Sequence, residues 1–542
     1  MTSAYNASSG ADGTYDPGLS ESPLMSSLQR VRHLNSSSPR FMAILSFFAA
    51  LVVSCAATNA QTALPTNQIE KIDRYVATRV AEQRIPGAAL AIVAQDHITR
   101  VTGFGVADPS GRPVTAETPF ILGSLSKSFT ALAVMQLVEK GQINLDAKVR
   151  EYIPWFTLAD DSSREITVRQ LLNQASGLSV ETSEKFAASS DVSDSALENR
   201  VRSLRTEHLD RAVGSNFEYS GTNYAVLGLL VQIVSNQSYE KYIQEHIFTP
   251  LEMEHTYSSQ VEAEKNGLAS GYLYWFFFPH ATELPFNRGS LPQGYIISTA
   301  HDMSHYLIAQ LNGGRYGDVQ ILSAAGIREM HRPAIATWKR GTSYAMGWEI
   351  GPVAGIPAIW HEGSIFNYHA NMVLIPGNGS GFILLENIYS GPDEGRLNQI
   401  ADGVALLLTG KDPPPIASTA RLKLAYGILL LIFFVQVWVV VHVVRRLTSR
   451  HARPPVRPTV WGVSMLVLAI LLSLNWGLLI VFGIPRLFGM PLITTVVRVP
   501  DFGYVLLMCA FLAFSTSILK GLVGLSFFPN LRQVPGHLPS SH

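Results

Sequence analysis

With 542 residues the chain is longer than one ordinary domain, so two or more structural units are expected. Lysine and arginine total 41 against 41 aspartates and glutamates, a balance that excludes the overall basic field of a nucleic-acid-binding protein. The balance is uneven along the chain: after residue 420 the only acidic side chain is Asp501, whereas Arg445, Arg446, Arg450, Arg453 and Arg457 cluster in one short stretch.

At the N-terminus, Arg30, Arg32 and Arg40 precede an apolar run and then small residues ending in Thr58-Asn59-Ala60. This is the layout of a secretory signal with an A-x-A-like cleavage site, so residues 1–61 are expected to be an extension plus a signal peptide, or an anchor when uncleaved. The polar leader is long for such a signal, which leaves Met25 and Met42 as alternative starts. Val52-Val-Ser-Cys55 also loosely resembles a lipoprotein processing site.

Residues 62–411 form the main mixed-pattern segment. Asn67 to Gln83 reads as a helix, and Ala88–Ala94 with Ile98–Val106 as paired strands around the polar break Gln95-Asp-His97. Ala370–Ile375 and Gly381–Glu386 flank Pro376-Gly-Asn-Gly-Ser380, a second hairpin signal, and Glu394 to Leu408 is again helical. Strands from both ends of the segment, with helical sequence between them, point to an α/β two-layer domain whose sheet is closed by its termini. Cys55 and Cys509 both fall outside it, so a disulfide framework, a cysteine metal site and a cysteine nucleophile are excluded there.

The most informative stretch runs Ile121-Leu-Gly-Ser124-Leu-Ser-Lys127 and continues as an apolar helix to Gly141. A serine and a lysine three apart share one helical face, within reach of each other. The lysine can then accept the serine proton if burial lowers its pKa, and N–H groups at the helix start can stabilise an oxyanion. The spacing alone is weak, since Ser238/Lys241 and Ser517/Lys520 repeat it without any accompanying motif.

Leu122–Lys140 resembles the active-site helix of class C-type β-lactamases and their relatives, the D-alanyl-D-alanine carboxypeptidases and serine esterases. Ile85-Pro-Gly-Ala-Ala-Leu-Ala-Ile-Val93, Gly294-Tyr-Ile-Ile-Ser-Thr-Ala-His-Asp-Met303 and Met346-Gly-Trp348 are further similar words. Ile166–Leu178 resembles a segment that usually carries a histidine where this chain has Gln174. Tyr219-Ser-Gly221 resembles the family's Y-x-N element and His361-Glu-Gly363 its third element, K-T-G or H-x-G. The likeness spans about residues 65 to 410. It implies a β-lactamase-like fold, an antiparallel sheet flanked by helices plus a helical subdomain. It also implies a serine hydrolase in which Ser124 forms an acyl-enzyme. Lys127 and Tyr219 would move the proton, either being the formal base, and His361 would donate a hydrogen bond to the substrate or to the Tyr219 network. The N–H groups of Ser124 and of Ser364, after Gly363, would form the oxyanion hole. No metal and no organic cofactor are implied.

Two departures bear on the substrate. Gly221 stands where the family has asparagine, with Asn223 two residues on as a candidate replacement, and His361 stands for lysine. Both favour an esterase or a peptidase on small or cell-wall-like substrates over a β-lactamase; a sensor or scaffold that is acylated without turnover is the reading from another class. The Trp275-Phe-Phe-Phe278 run is expected in the core, with a pocket lining as the alternative.

Residues 412–424 read as a proline-containing linker, 425–528 as three transmembrane helices, and 529–542 as a tail. Ala425–Val444, Val460–Gly483 and Phe502 to about Leu525 each approach the ~20 apolar residues that cross a bilayer. Gln436 and His442 are their main polar residues, a poor match to a transporter's buried carboxylates. Partners are thus expected to be the lipid bilayer and a small substrate, without nucleic acid. Five arginines in the 445–458 loop place it in the cytoplasm by the positive-inside rule, and the catalytic segment outside. Reporter fusions after Pro415 and after Arg453 should therefore report opposite sides; the same side for both would refute this topology.

Overall fold

The computed structural model describes residues 64–527 apart from 186–189, 284, 390, 392–393, 449–458, 488–491, 493–494 and 497–498. The signal-like segment, the arginine-rich loop beyond Thr448 and the C-terminal tail lie outside the described residues.

The chain opens with helix α1 (Thr66–Gln83), and Arg84 in the left-handed conformation ends it. Strands β1 (Gly87–Ala94) and β2 (His97–Gly105) follow as the expected hairpin. β3 (Phe120–Ile121) leads into helix α2 (Ser126–Glu139), and α3 (Gly221–Ser235) lies across the helical region. A hairpin of β4 (Gly271–Trp275) and β5 (Phe278–Thr282) precedes β6 (Ile297–Ser298), which pairs with β3, and helix α4 (Ala300–Leu311). Then come β7 (Ile335–Ala336), β8 (Ser343–Tyr344), β9 (Glu349–Val353), β10 (Ile356–Ile365), β11 (Tyr368–Ile375), β12 (Ser380–Glu386), β13 (Ile388–Tyr389) and helix α5 (Glu394–Leu408). The main sheet has eight strands in the order β2-β1-β12-β11-β10-β9-β8-β7, all antiparallel, so strands from the two ends of the domain meet at β1 and β12.

The sheet is covered on both faces, which corrects the two-layer expectation. Ala88, Leu90 and Ile92 of β1 face a core with Phe382 and Leu384 of β12, Ile72 of α1 and Ile400 of α5. Ala89, Ala91 and Val93 face the opposite core, shared with Phe129, Leu227 and Met303 from α2, α3 and α4. A strand buried on both sides must be apolar at successive residues, which explains the unbroken runs of β1, β11 and β12. Helix α2 is likewise buried all round from Ser126 to Leu137.

Three further helices follow: α6 (Ala420–Thr448), α7 (Val460–Leu478) and α8 (Pro500–Phe527). The stretches 420–445, 460–483 and 500–523 are long and apolar enough to cross a membrane. Leu429, Ile480, Leu506 and Cys509 pack between them.

The aromatic hairpin turn behaves differently from its expectation as core. Trp275 and Phe278 are exposed, while Phe276 packs against the cluster between the last three helices. Phe276 and Phe277 both adopt positive φ, the combination that a two-residue hairpin turn needs and that glycine or asparagine normally supplies. Asp501 holds this turn: its Oδ2 accepts the Phe276 N–H at 2.7 Å and its Oδ1 the Tyr426 hydroxyl at 3.0 Å. Asp501→Ala strands the Phe276, Tyr426 and Phe502 donors, so the melting temperature of the full chain in detergent should fall by the equivalent of about 1–3 kcal/mol, with Tyr426→Phe costing less. An unchanged melting temperature in both variants would contradict the docking role.

Candidate active site

Ser124 lies in a tight turn, Gly123–Leu125, immediately before α2. Gly123 has φ +56°, and a Cβ there would stand 2.8 Å from the Ser364 nitrogen; a Cβ on Gly363 would stand 2.1 Å from the Leu122 carbonyl oxygen. The two glycines thus meet back to back, and only their lack of side chains lets β10 press against the nucleophile turn. This contact brings the Ser364 N–H beside the Ser124 turn, as the resemblance requires of an oxyanion hole.

One turn into the helix, Lys127 directs its amine at Ser124 Oγ, 2.9 Å away, and donates a second bond to the Gln293 carbonyl at 2.8 Å. Burial, assisted by the nearby positive charge of Arg200, lowers the Lys127 pKa to about 7. Its amine lies 4.9 Å from the centre of the Tyr219 ring. Tyr219 moves the other way: burial, with the Tyr344 hydroxyl adding to it, raises its pKa well above the ordinary value, although a hydrogen bond with Ser124 opposes the shift. At neutral pH the lysine is thus a partly deprotonated amine and the tyrosine a neutral phenol.

His361 sits in β10 and is buried. Its Nδ1 donates to the Glu362 carbonyl at 2.6 Å, so its Nε2 carries the lone pair and accepts the Tyr344 hydroxyl at 3.1 Å. Burial and the neighbouring Lys127 push its pKa down to about 3. His361 therefore accepts where it was expected to donate, and it is a neutral ring at any physiological pH.

Gly221 is placed beside Ser124 in the cleft, but the space of a side chain there is taken: a Cβ would lie 2.4 Å from Gln293 Oε1. Arg200 donates to that oxygen at 3.1 Å. Asn223 does not replace the missing amide. It is buried, donates to Gln174 Oε1 at 2.5 Å and accepts from Ser176 at 2.6 Å, facing away from the cleft. Gln293, one residue before a word already similar to the family, is the residue that occupies this space, its Oε1 engaged by Arg200, and sequence reasoning missed it.

The cleft has a volume of about 510 Å³. Phe217, Trp338, Ile365 and Phe366 form an apolar side, with Trp338 exposed and packed edge-on to Phe217 at 4.8 Å. On the polar side, Lys339 contacts Glu362 at 2.6 Å and Glu349 at 3.3 Å. Burial pushes Glu349 up to about 7. For Glu362 burial acts upward too, but the Lys339 charge and hydrogen bond outweigh it and leave the group below its usual range. Ser364 Oγ donates to Glu394 and accepts from His369 Nδ1 at 3.0 Å, which fixes the residue after the motif. Tyr344, Lys339, Glu349 and Glu362 were also missed, because no spacing rule connects them to Ser124.

The other two S-x-x-K pairs have structural roles. Ser238 caps a helix by accepting the Lys241 N–H, and Ser517 and Lys520 bond to the backbone of α7.

A family model described as Beta-lactamase matches residues 72–406. The chain belongs to the β-lactamase family. Protein flp of Staphylococcus aureus strain MW2 is 28% identical over 332 residues, covering 60% of this chain and 64% of that protein. Penicillin-binding protein 4 of Amycolatopsis lactamdurans is 27% identical over 341 residues, covering 60% of this chain and 86% of the relative. Among solved structures, the octameric penicillin-binding protein homologue from Pyrococcus abyssi superposes with a TM-score of 0.56 at 29% identity, over 64% of this chain and 78% of that one. A mutant of a class C β-lactamase gives 0.54 at 19% identity over 64% of this chain and 98% of its own, a likeness of fold. The chain therefore carries the serine β-lactamase and penicillin-binding fold, and the superfamily's members are serine hydrolases.

If the Lys127 amine must lose its proton before accepting that of Ser124, fluorophosphonate labelling should quicken with rising pH, with its midpoint at about 7. Ser124→Ala should abolish the adduct, while Ser126→Ala should largely keep it. A rate flat across this range would contradict the base assignment.

Proposed function

We propose that the protein is a membrane-anchored serine hydrolase that turns over esters or amides through an acyl-enzyme on Ser124, with its catalytic domain outside the cytoplasm. The observation that carries this reading is the 2.9 Å contact between Ser124 Oγ and a lysine amine whose pKa is lowered to about 7. Neutral Lys127 takes the hydroxyl proton as Ser124 Oγ attacks the carbonyl carbon. The developing oxyanion is met by the N–H groups of Ser124 and Ser364. Tyr219, kept as a phenol, relays the proton from Lys127 to the leaving oxygen or nitrogen. Water, activated along the same path in reverse, then releases the acid and restores Ser124.

Ester hydrolysis is favoured over β-lactam hydrolysis by the charges of the cleft, with D-amino-acid peptidase chemistry as the amide reading beside it. Among the described residues that line it, the only cations are Lys127, engaged with Ser124, and Lys339, paired with two carboxylates. His361 stays neutral, so it offers a β-lactam carboxylate no positive charge. The apolar side formed by Phe217, Trp338 and Phe366 suits an acyl group. The alternative, a sensor acylated without turnover, is separated from the enzyme by a burst of product that is not followed by a steady rate.

Each missing amide or charge-assisted hydrogen bond costs a β-lactam roughly 1–3 kcal/mol, and 1.36 kcal/mol is a factor of about ten in rate. Two such losses predict kcat/KM for p-nitrophenyl butyrate at least ~10²-fold above that for nitrocefin, measured on one preparation with Ser124→Ala as background. Nitrocefin hydrolysed as fast as the ester or faster would restore β-lactamase as the activity.

A further inference from the structure

Away from the cleft, the segment before β3, the turn after Met253 and the start of α4 bring together four side chains able to hold a metal. Glu117, His301 and Asp302 each present one donor atom, and the three atoms lie within 4.8 Å of one another. His301 Nδ1 stands 3.6 Å from Glu117 Oε1 and 3.8 Å from Asp302 Oδ1. From the other side His255 Nδ1 stands 3.4 Å from Glu117 Oε2 and 4.0 Å from Asp302 Oδ1.

The decisive group is Asp302, which is 1% exposed. Its Oδ2 accepts the His255 N–H and the Thr256 hydroxyl, both at 2.7 Å. Its Oδ1 is buried and accepts no hydrogen bond. An acceptor left in this state costs free energy unless something else satisfies it. Here the oxygen is aimed between two imidazole nitrogens, and the carboxylate is held from behind by donors that leave this oxygen open, the support that metal ligands characteristically receive.

We propose that Glu117, His255, His301 and Asp302 form a binding site for one divalent transition-metal ion of the zinc class. Two imidazoles and two carboxylates suit zinc, whereas calcium and magnesium take oxygen donors. Two carboxylates also neutralise the dication. The donor separations of 3.4 to 4.0 Å are wider than the roughly 3.3 Å edge of a tetrahedron with metal bonds of 2.0–2.1 Å. Small rotations of Glu117, His255 and His301, which are all more than a third exposed, close that gap and give the ion a path from solvent.

The ion's role is structural. Glu117 lies three residues before Phe120 of β3, the strand that delivers the Gly123–Ser124 turn, and β3 pairs with β6 just ahead of α4. A metal there ties the approach of the nucleophile turn to α4 without touching Ser124. The site departs from the sequence expectation of no metal, because its ligands come from three separated stretches and form no spacing motif.

The test uses the tag-free full chain in detergent, stripped with a chelator, exposed to ZnCl2 and freed of excess before elemental analysis. The wild type should retain one zinc per chain, melt at a higher temperature with zinc than without, and show visible ligand-field absorption when Co2+ is supplied instead. The double variant His255→Gln, His301→Gln, and separately Glu117→Gln, should lose the Co2+ absorption and the zinc-dependent melting shift while hydrolysing p-nitrophenyl butyrate at the wild-type rate. Removing ligands should weaken binding by at least the roughly 10–100-fold that loss of a supporting group costs. Wild-type protein without stoichiometric zinc, or variants that keep zinc and the Co2+ absorption at wild-type levels, would overturn the proposal.

Discussion

Burial of Lys127 is the constraint on which the rest of the catalytic domain depends. An ammonium taken out of water loses several kcal/mol of solvation unless it is paired, and the alternative is to shed its proton. Among the described residues no carboxylate is bonded to the Lys127 amine; its hydrogen bonds go to the Ser124 hydroxyl and the Gln293 carbonyl. The group is therefore poised between its two charge states. Keeping it there demands that α2 be enclosed on every side, by α3, by α4 and by the sheet face bearing Ala89, Ala91 and Val93.

The close approach of β10 to the nucleophile turn is the second demand, and it explains why two glycines face each other across that contact. Once β10 is in place, its residues alternate: His361 and Gly363 look toward the nucleophile, Glu362 and Ser364 toward α5. Polar anchors on the α5 side hold the strand: Asn398 donates to Glu362 at 2.6 Å, and Glu394 accepts from Ser364. The strand that carries the Ser364 N–H is thus anchored to α5. The same packing desolvates His361 and denies it a charge, so a motif residue with the chemistry of a cation acts as a neutral acceptor.

The membrane-type helices are joined to this domain by more than the proline-containing linker. The β4–β5 turn places Phe276 among them, and Tyr389, in the strand beside β4, lines both the catalytic cleft and the cavity next to that turn. The hairpin turn of this small sheet thus touches the apolar helices directly, through Phe276 and Asp501.

Local pattern carried the elements with strong periodicity or strong covalent preference. Helices α1 and α5, the β1–β2 and β11–β12 hairpins, the three long apolar helices and the Ser124–Lys127 pair all follow from residues close together in the chain, where spacing alone sets geometry. What faces the nucleophile from afar followed only from the fold. That Gln293 fills the space beside Gly221, that Asn223 turns inward, that Tyr344 bonds His361 and that Lys339 is consumed by two glutamates all depend on contacts between distant segments. Likewise the aromatic turn reads as core by composition, since hydrophobicity says that a side chain will be covered but not by what. Words shared with the family pointed to it, short-range spacing brought Ser124 and Lys127 together, and composition gave the length of the apolar spans. The charge states of Lys127, Tyr219 and His361 were decided by the tertiary structure, because a pKa is set by desolvation and by neighbours that only folding brings within range.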